Sequence, residues 1–208
     1  WTPTEAQGPS TNVVTVRVYD NGTPSLSVTN SFTLTVTEAN GAPGLTLPAN
    51  QTISELAAWS ANATATDTDV PTNSLTFELV SGPSGLSVGG GGQMGWTPTE
   101  AQGPSTNVVT VRVYDNGSPS LSVTNSFTLT VNEVNSAPGL TLPADQTISE
   151  LAVWSANLTG TDSDEPTNSL TFELVSGPSG LSVGAGGQMG WTPTEAQGPS
   201  TNVVTVRV

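Results

Sequence analysis

Apolar and polar residues alternate along most of the chain with a period of two. In residues 109–113 three valines share one face and Thr110 and Arg112 share the other, and the same alternation covers residues 59–66, 75–79 and 127–131. A strand with this pattern buries one face of its sheet and exposes the other to water. No sustained 3.6-residue pattern competes with it, so the sequence predicts an all-β fold.

Short clusters of Gly, Pro, Asn and Ser separate the alternating segments, and such clusters are typical of turns. They divide residues 42–132 into about seven strands, near 44–53, 58–67, 74–80, 84–88, 93–97, 107–115 and 125–132. Seven short strands in a unit of this length are typical of an immunoglobulin-like β-sandwich with two sheets.

The chain repeats itself every 95 residues. The segment that starts at Trp1 returns at Trp96 and at Trp191, and only eleven positions differ between residues 1–95 and 96–190. A fixed period of this size indicates an array of small domains. We therefore predict the C-terminal part of one repeat in residues 1–40, a complete repeat in 41–135 and the N-terminal part of a third in 136–208, as a window on a longer array.

Composition narrows the possible functions. The chain has three Arg, no Lys, no His and no Cys, and its net charge is −14. Nucleic acids and anionic membranes are recognised by cationic side chains, so neither is an expected partner. Disulfides and thiolate zinc sites need Cys. Without His, Cys or Lys, the remaining catalytic candidates are carboxylate pairs or a Ser nucleophile with no base, so we do not expect an enzyme.

The acidic residues collect where one predicted repeat meets the next. Strands two and six of a sandwich run back towards the end at which strand one starts, so the aspartates that follow them face the preceding linker. Glu55 begins a repeat, Glu100 precedes the sixth strand, and Glu133 lies in the linker. The full set of candidate ligands is Glu5, Glu38, Asn40, Asp67, Asp69, Asp115, Glu55, Glu100, Glu133, Asn135, Asp162 and Asp164.

Clustered carboxylates repel one another unless a cation lies between them, and Ca²⁺ prefers six to eight oxygen ligands. The sequence therefore predicts Ca²⁺ at the junctions between repeats. The alternative is that these acids are solvated strand ends that keep an extracellular protein soluble.

These motifs resemble those of the cadherin family. Cadherin repeats carry an early Glu, a Glu before the sixth strand, a linker that ends in Pro, an Asp-x-Asp and a later Asp-x-Gly. In this chain the matching positions are, in the same order, Glu55, Glu100, residues 133–138, residues 162–164 and residues 115–117. The resemblance implies calcium between the domains. The linker Glu-Val-Asn-Ser-Ala-Pro has two ligands fewer than the cadherin linker, which implies one or two ions per junction.

The segments Trp-Thr-Pro-Thr and Val-Tyr-Asp-Asn-Gly-Ser-Pro are similar to the cadherin-like (dystroglycan-type and putative-Ig) repeats of very large bacterial surface proteins. This resemblance implies a secreted or cell-surface stalk or fibre, with neighbouring repeats as its partners and with possible lateral self-association. Two alternatives stay open. One is an adhesive module that binds a glycan or a like copy, and the other is a calcium-free spacer or a filament subunit completed by strand exchange.

Overall fold

A computed structural model describes residues 1–208, and its regular structure is almost entirely β. The predicted all-β sandwich is therefore confirmed. The chain forms two compact units. The first contains Trp1–Ile53, Ala57–Thr97 and Thr106–Thr130, and the second contains Ser54–Leu56, Pro98–Ser105 and Val131–Val208. The predicted repeat boundaries at residues 40 and 135 stay a prediction.

The first unit holds a two-stranded sheet and the sheets of the central repeat, except for one or two residues at one end of β4, β10 and β11. Its strands are β1 (Ser10–Tyr19), β2 (Ser27–Val36), β3 (Gly44–Thr46), β4 (Gln51–Ser54), β5 (Trp59–Asn62), β6 (Thr64–Thr66), β7 (Thr76–Ser81), β8 (Ser87–Val88), β9 (Gln93–Trp96), β10 (Ser105–Tyr114) and β11 (Ser122–Asn132). The sheet orders are β1-β2, β4-β11-β10-β7, β5-β9-β8 and β3-β6.

The second unit repeats part of this arrangement. Its strands are β12 (Gly139–Thr141), β13 (Trp154–Asn157), β14 (Thr159–Thr161), β15 (Glu173–Ser176), β16 (Ser182–Val183), β17 (Gln188–Trp191) and β18 (Thr205–Arg207). They pair antiparallel as β12-β14, β13-β17-β16 and β15-β18. Short 3₁₀ helices at Glu5–Gln7, Glu100–Gln102 and Glu195–Gln197 recur at the same place in each repeat.

The core of the central repeat follows the predicted alternation. Val109, Val111 and Val113 of β10 are fully buried, and Leu129 of β11 is also 0% exposed. The Trp59 ring of β5 lies 6.2 Å from the Phe127 ring of β11. The two sheets therefore face each other across an apolar layer, as the period-two pattern predicts.

Two of the predicted strands are wrong in extent, because each is broken in the middle. The strand predicted at 44–53 forms β3 and β4, which belong to different sheets, and Pro48 lies between them. Proline has no backbone N–H to donate to a ladder, so the chain leaves one sheet at this residue and joins the other.

The strand predicted at 58–67 breaks at Ala63, between β5 and β6. The Ala63 N–H donates to the Gly92 carbonyl over 2.9 Å. A Cβ at Gly92 would lie 2.5 Å from the Ala63 oxygen, and Gly92 has a φ of +90°. Only glycine meets both conditions, so the turn between β8 and β9 requires a glycine at position 92.

Two of the eleven differences between the repeats compensate each other in the core. Ala63 and Ala65 of the central repeat are replaced by Leu158 and Gly160 in the next. Leu158 is buried, and a Cβ at Gly160 would lie 2.7 Å from Leu170 Cδ1. The larger side chain at one position is thus accompanied by the loss of a methyl group at the other, as close packing requires.

The buried strand β11 has an exposed counterpart that serves as a matched control. We expect Leu129→Ala to lower the free energy of unfolding by about 2–5 kcal/mol, because it leaves a cavity at a fully buried site. Leu34→Ala changes the equivalent residue, which is 39% exposed, and should cost clearly less. Urea denaturation of the two variants measures the difference, and equal losses would contradict the assigned core.

Candidate metal centre

The structure brings the predicted acidic residues together in two clusters, one in each unit. In the second unit, one carboxylate oxygen from each of Glu55, Glu100 and Glu133 lies within 4.8 Å of the other two. In the first unit, Glu5, Glu38 and Asp69 meet the same criterion. Glu100 and Glu133 are the 95-residue equivalents of Glu5 and Glu38, so the two clusters share two positions of the repeat. They differ in the third member, which is Glu55 in one cluster and Asp69 in the other.

Local structure fixes each member of the cluster around Glu55. Glu100 lies in the first turn of the 3₁₀ helix Glu100–Gln102, where the Thr99 N–H donates to the Gln102 side chain over 2.9 Å. Glu133 directly follows β11, and Glu55 directly follows β4. Neighbouring strands of one sheet therefore deliver two of the three carboxylates to the same end.

Glu55 is the most confined member of this cluster, with a relative exposure of 1%. Its Oε1 accepts a hydrogen bond from the Val134 N–H over 2.8 Å, whereas its Oε2 has no hydrogen-bond partner. A Cβ at Gly103 would lie only 2.0 Å from that Oε2. A glycine at position 103 thus leaves the space that the unpaired carboxylate oxygen occupies.

The unpaired oxygen of Glu55 is one of several. Glu100 Oε1 and both carboxylate oxygens of Glu133 are also buried without a hydrogen-bond partner. Buried polar atoms are nearly always paired, and a buried carboxylate that lacks a partner is costly. Four unpaired oxygens, all of them hard donors, fit the ligand chemistry of a calcium ion.

Electrostatics in this cluster favour protonation when no cation is bound. Desolvation, followed by the proximity of Glu55 and the charge of Glu100, raises the pKa of Glu133 to about 7. Desolvation and the charges of Glu55 and Asp164 also raise the pKa of Glu100. Each shift has the sign expected of carboxylates that are crowded together and partly removed from water.

The cluster in the first unit is more open. Glu5 and Glu38 are exposed, and Asp69 is 3% exposed. The Val70 N–H donates to Glu5 Oε1 over 3.0 Å. Desolvation and the charges of Glu5 and Asp69 raise the pKa of Glu38. The same mutual repulsion therefore acts here.

The Asp-x-Asp pairs divide into two roles. Asp69 and Asp164 accept the backbone N–H of Gly41 and Ser136, each over 3.0 Å at the shorter contact. The first aspartate of each pair folds the loop instead, since Asp67 Oδ1 and Asp162 Oδ1 accept the N–H groups that follow them. Asp67 and Asp162 are members of neither three-carboxylate cluster, although Asp67 Oδ2 is buried without a partner.

Asp115 and the linker asparagine also lie outside the clusters. Asp115 Oδ1 accepts the N–H of Gly117 and of Leu121, and its Oδ2 accepts Asn40 Nδ2 over 3.0 Å. Desolvation opposes ionisation of Asp115, but the hydrogen bonds from Leu121, Asn40 and Gly117 outweigh it and lower the pKa of this carboxyl. Asn135, the equivalent of Asn40, accepts Asn168 Nδ2 over 3.0 Å.

The sequence interpretation missed Asn73 and Asn168. Each lies four residues after the second aspartate of its pair and donates to that aspartate, over 2.6 Å for Asn73 and 2.7 Å for Asn168. The sequence does carry a signal, because Asp-x-Pro-Thr-Asn occurs at this point in both copies. It was overlooked because an amide in a turn has many ordinary explanations.

Comparison with solved structures identifies the fold. The chain is 21% identical to mouse cadherin-23 EC22-24 over 88% of this chain and 64% of that one, with a TM-score of 0.53. The fold is that of cadherin extracellular repeats. This confirms the resemblance seen in the sequence at the level of fold, while the bacterial surface context stays a prediction.

Two other solved structures are similar. The PcdhgB3 EC1-4 fragment is 15% identical over 98% of this chain and 58% of that one, with a TM-score of 0.57. The protocadherin gammaB7 EC3-6 cis-dimer is 20% identical over 96% and 56%, with a TM-score of 0.49. The chain thus spans less than two thirds of the length of each of these three structures.

No protein-family model matches the chain, and no curated protein matches it. No helix in the structure has the length and apolar character needed to cross a membrane.

The space left by Gly103 can be tested directly. We expect Gly103→Ala to lower stability by about 1–3 kcal/mol, because the added methyl group would overlap the Glu55 carboxylate. Gly8→Ala is the matched control, since a Cβ at Gly8 would meet its nearest atom, Val36 Cγ1, at 3.3 Å. Thermal unfolding should separate the two variants, and an unchanged melting temperature in Gly103→Ala would contradict the packing described.

The raised carboxylate pKa values predict a pH dependence in cation-free buffer. A group whose pKa rises on folding binds more protons in the folded state, so stability falls as pH rises between the two pKa values. For Glu133 this interval runs from its ordinary 4.5 to about 7. Melting temperatures measured in EDTA should fall across this interval. Glu133→Gln should flatten the profile, and a profile identical to that of the unmodified chain would contradict the assignment.

Proposed function

We propose that this chain is a structural segment of an extracellular adhesion protein, in which calcium stabilises the linkers between cadherin-like repeats. The cadherin-like fold supports a role as an adhesion or structural repeat. The near-identity of successive repeats supports a structural role, because a recognition surface is usually specific to one domain whereas an array gains length from copying.

The observation that carries the calcium proposal is the state of the Glu55 carboxylate. It is buried, it lies beside two other carboxylates, and one of its oxygens has no partner. A proton or a cation must offset the negative charge of this carboxylate, since an unpaired buried charge is strongly unfavourable. A divalent cation neutralises more of the charge of three carboxylates than one shared proton does.

Calcium suits this donor set better than the other common divalent cations. All the donors are oxygens, whereas zinc sites in proteins draw on Cys and His, and this chain has neither residue. Magnesium prefers a strict octahedron and keeps much of its water, while calcium accepts irregular sets of carboxylate and carbonyl oxygens. Glu55, Glu100 and Glu133 would hold one ion and Glu5, Glu38 and Asp69 another.

The expected consequence of binding is a fixed linker. Glu55 belongs to the central repeat, and Glu133 to the linker that follows it. An ion bound by both, and by Glu100, would replace mutual repulsion with shared coordination. Extracellular modules bind calcium with dissociation constants of about 10⁻⁴–10⁻³ M, so a site of this kind would be filled in a calcium-rich exterior.

Calcium titration tests the proposal with a matched pair of variants. Glu55→Gln keeps the shape of the side chain but removes its charge, and should abolish binding at the cluster around Glu55. Glu150→Gln changes the equivalent residue, which is exposed and is a member of neither three-carboxylate cluster, so it should bind as the unmodified chain does. Calorimetry would report the number of ions bound.

Thermal unfolding gives a second measurement. At a calcium concentration one hundred times the dissociation constant, the bound state should gain about 2.7 kcal/mol per site. This gain should be reduced in Glu55→Gln and retained in Glu150→Gln. If the unmodified chain shows neither heat nor stabilisation with calcium, the calcium proposal is wrong and the array is a calcium-free spacer.

A further inference from the structure

Two asparagines that lie outside the carboxylate clusters bridge the linker to the loop of the Asp-x-Asp pair. Asn73 Nδ2 donates one hydrogen to Asp69 Oδ2 over 2.6 Å and the other to Asn40 Oδ1 over 2.7 Å. Asn168 Nδ2 makes the same two bonds, to Asp164 over 2.7 Å and to Asn135 over 3.0 Å. Both hydrogens of each amide are therefore used.

We infer that Asn73 and Asn168 are positioning residues that fasten each linker to the loop of the following repeat without a cation. This inference deepens the calcium proposal, because it divides the junction of the second unit into an amide-bridged half and a carboxylate half, whereas in the first unit Asp69 belongs to both. The division rests on that proposal. The amide bridge does not, since the Nδ2 atoms of Asn73 and Asn168 already donate to the linker and to the Asp-x-Asp loop.

In the first unit the bridge is part of a continuous network. Gly41 N–H donates to both oxygens of Asp69, over 3.0 and 3.1 Å. Asn40 donates through Nδ2 to Asp115 over 3.0 Å and to the Pro119 carbonyl over 3.0 Å. The linker is thereby tied to two separate loops. The bonds to Asp69 and Asp115 have charged acceptors, and such hydrogen bonds are about twice as strong as neutral pairs.

The network leaves little room at the linker. A Cβ at Gly117 would lie 1.7 Å from Asn40 Oδ1. The loop that follows β10 therefore approaches the linker asparagine as closely as a glycine permits. Asp115, Asn40, Asn73 and Asp69 form one chain of hydrogen bonds, whereas Glu55, Glu100 and Glu133 have unpaired oxygens.

Differences between the two linkers make the inference testable by hydrogen–deuterium exchange. Residues 37–42 read Thr-Glu-Ala-Asn-Gly-Ala, and residues 132–137 read Asn-Glu-Val-Asn-Ser-Ala, so mass spectrometry distinguishes their peptides although most of the repeat is identical. The reporting amides are Gly41 and Ser136, which donate to Asp69 and Asp164. All measurements are made in EDTA on the full 208-residue chain.

We expect both linker peptides of the unmodified chain to be protected in EDTA. Asn73→Ala should speed exchange in the peptide that contains Gly41 by about tenfold, the effect of losing a hydrogen bond to a charged group. The peptide that contains Ser136 should not change. Asn168→Ala should give the reverse result, so each variant is the control for the other.

A further variant separates the donated hydrogen bonds from the volume of the side chain. Asn73→Asp keeps the shape but replaces the donor with a carboxylate next to Asp69, so it should exchange as fast as Asn73→Ala. Far-ultraviolet circular dichroism checks that each variant keeps its β-structure.

Two results would overturn the inference. One is hydrogen–deuterium exchange of the unmodified linker amides in EDTA at the rate of an unprotected peptide, which would mean that a cation is needed to hold the linkers. The other is a folded Asn73→Ala variant with the protection of the unmodified chain. Because calcium is absent throughout, a failed calcium titration would leave this reading unaffected, and the two proposals can fail separately.

Discussion

Repulsion between like charges is the constraint on which the linkers depend. Three carboxylates whose oxygens lie within 4.8 Å of one another cannot all be ionised and dry at little cost. The fold places them there because β4 and β11 are neighbours and end together, and because the helix at Glu100–Gln102 adds a third acid. Protonation or a cation offsets the repulsion, and desolvation together with the neighbouring carboxylates raises the pKa of Glu133 in the direction that this repulsion requires.

The sheets of the repeat were predictable because burial leaves a period-two pattern. Val109, Val111 and Val113 mark the buried face of β10 without ambiguity. The breaks at Pro48 and Ala63 were missed for a physical reason. Alternation continues through both positions, while the chain changes sheet at one and donates to Gly92 at the other. A local pattern records which face is buried, and it does not record which neighbour a strand pairs with.

The candidate site was likewise predictable only in part. Sequence reasoning found the acids, because a carboxylate on a short loop is conspicuous in a chain with few charges. It could not separate Glu55, which has an unpaired oxygen, from Asp115, whose carboxylate is fully hydrogen-bonded. That distinction depends on the folded conformation of the loop after β10, which turns the N–H groups of Gly117 and Leu121 towards Asp115, and on Asn40 of the linker. The position that is Val70 in one copy and Glu165 in the next donates its backbone N–H to Glu5 or Glu100, and a backbone contact of this kind leaves no mark in the sequence.

The paired change at Leu158 and Gly160 has a consequence for how near-identical neighbours fold side by side. Exchange of the segment around Ala63 and Ala65 with its counterpart would leave a void where Leu158 packs and would force a methyl group to within 2.7 Å of Leu170 Cδ1. Each core therefore accepts its own strand better than its neighbour's. Two small substitutions thus make the cores of otherwise near-identical repeats distinct. This disfavours domain swapping and misassembly between adjacent repeats, to which arrays are prone.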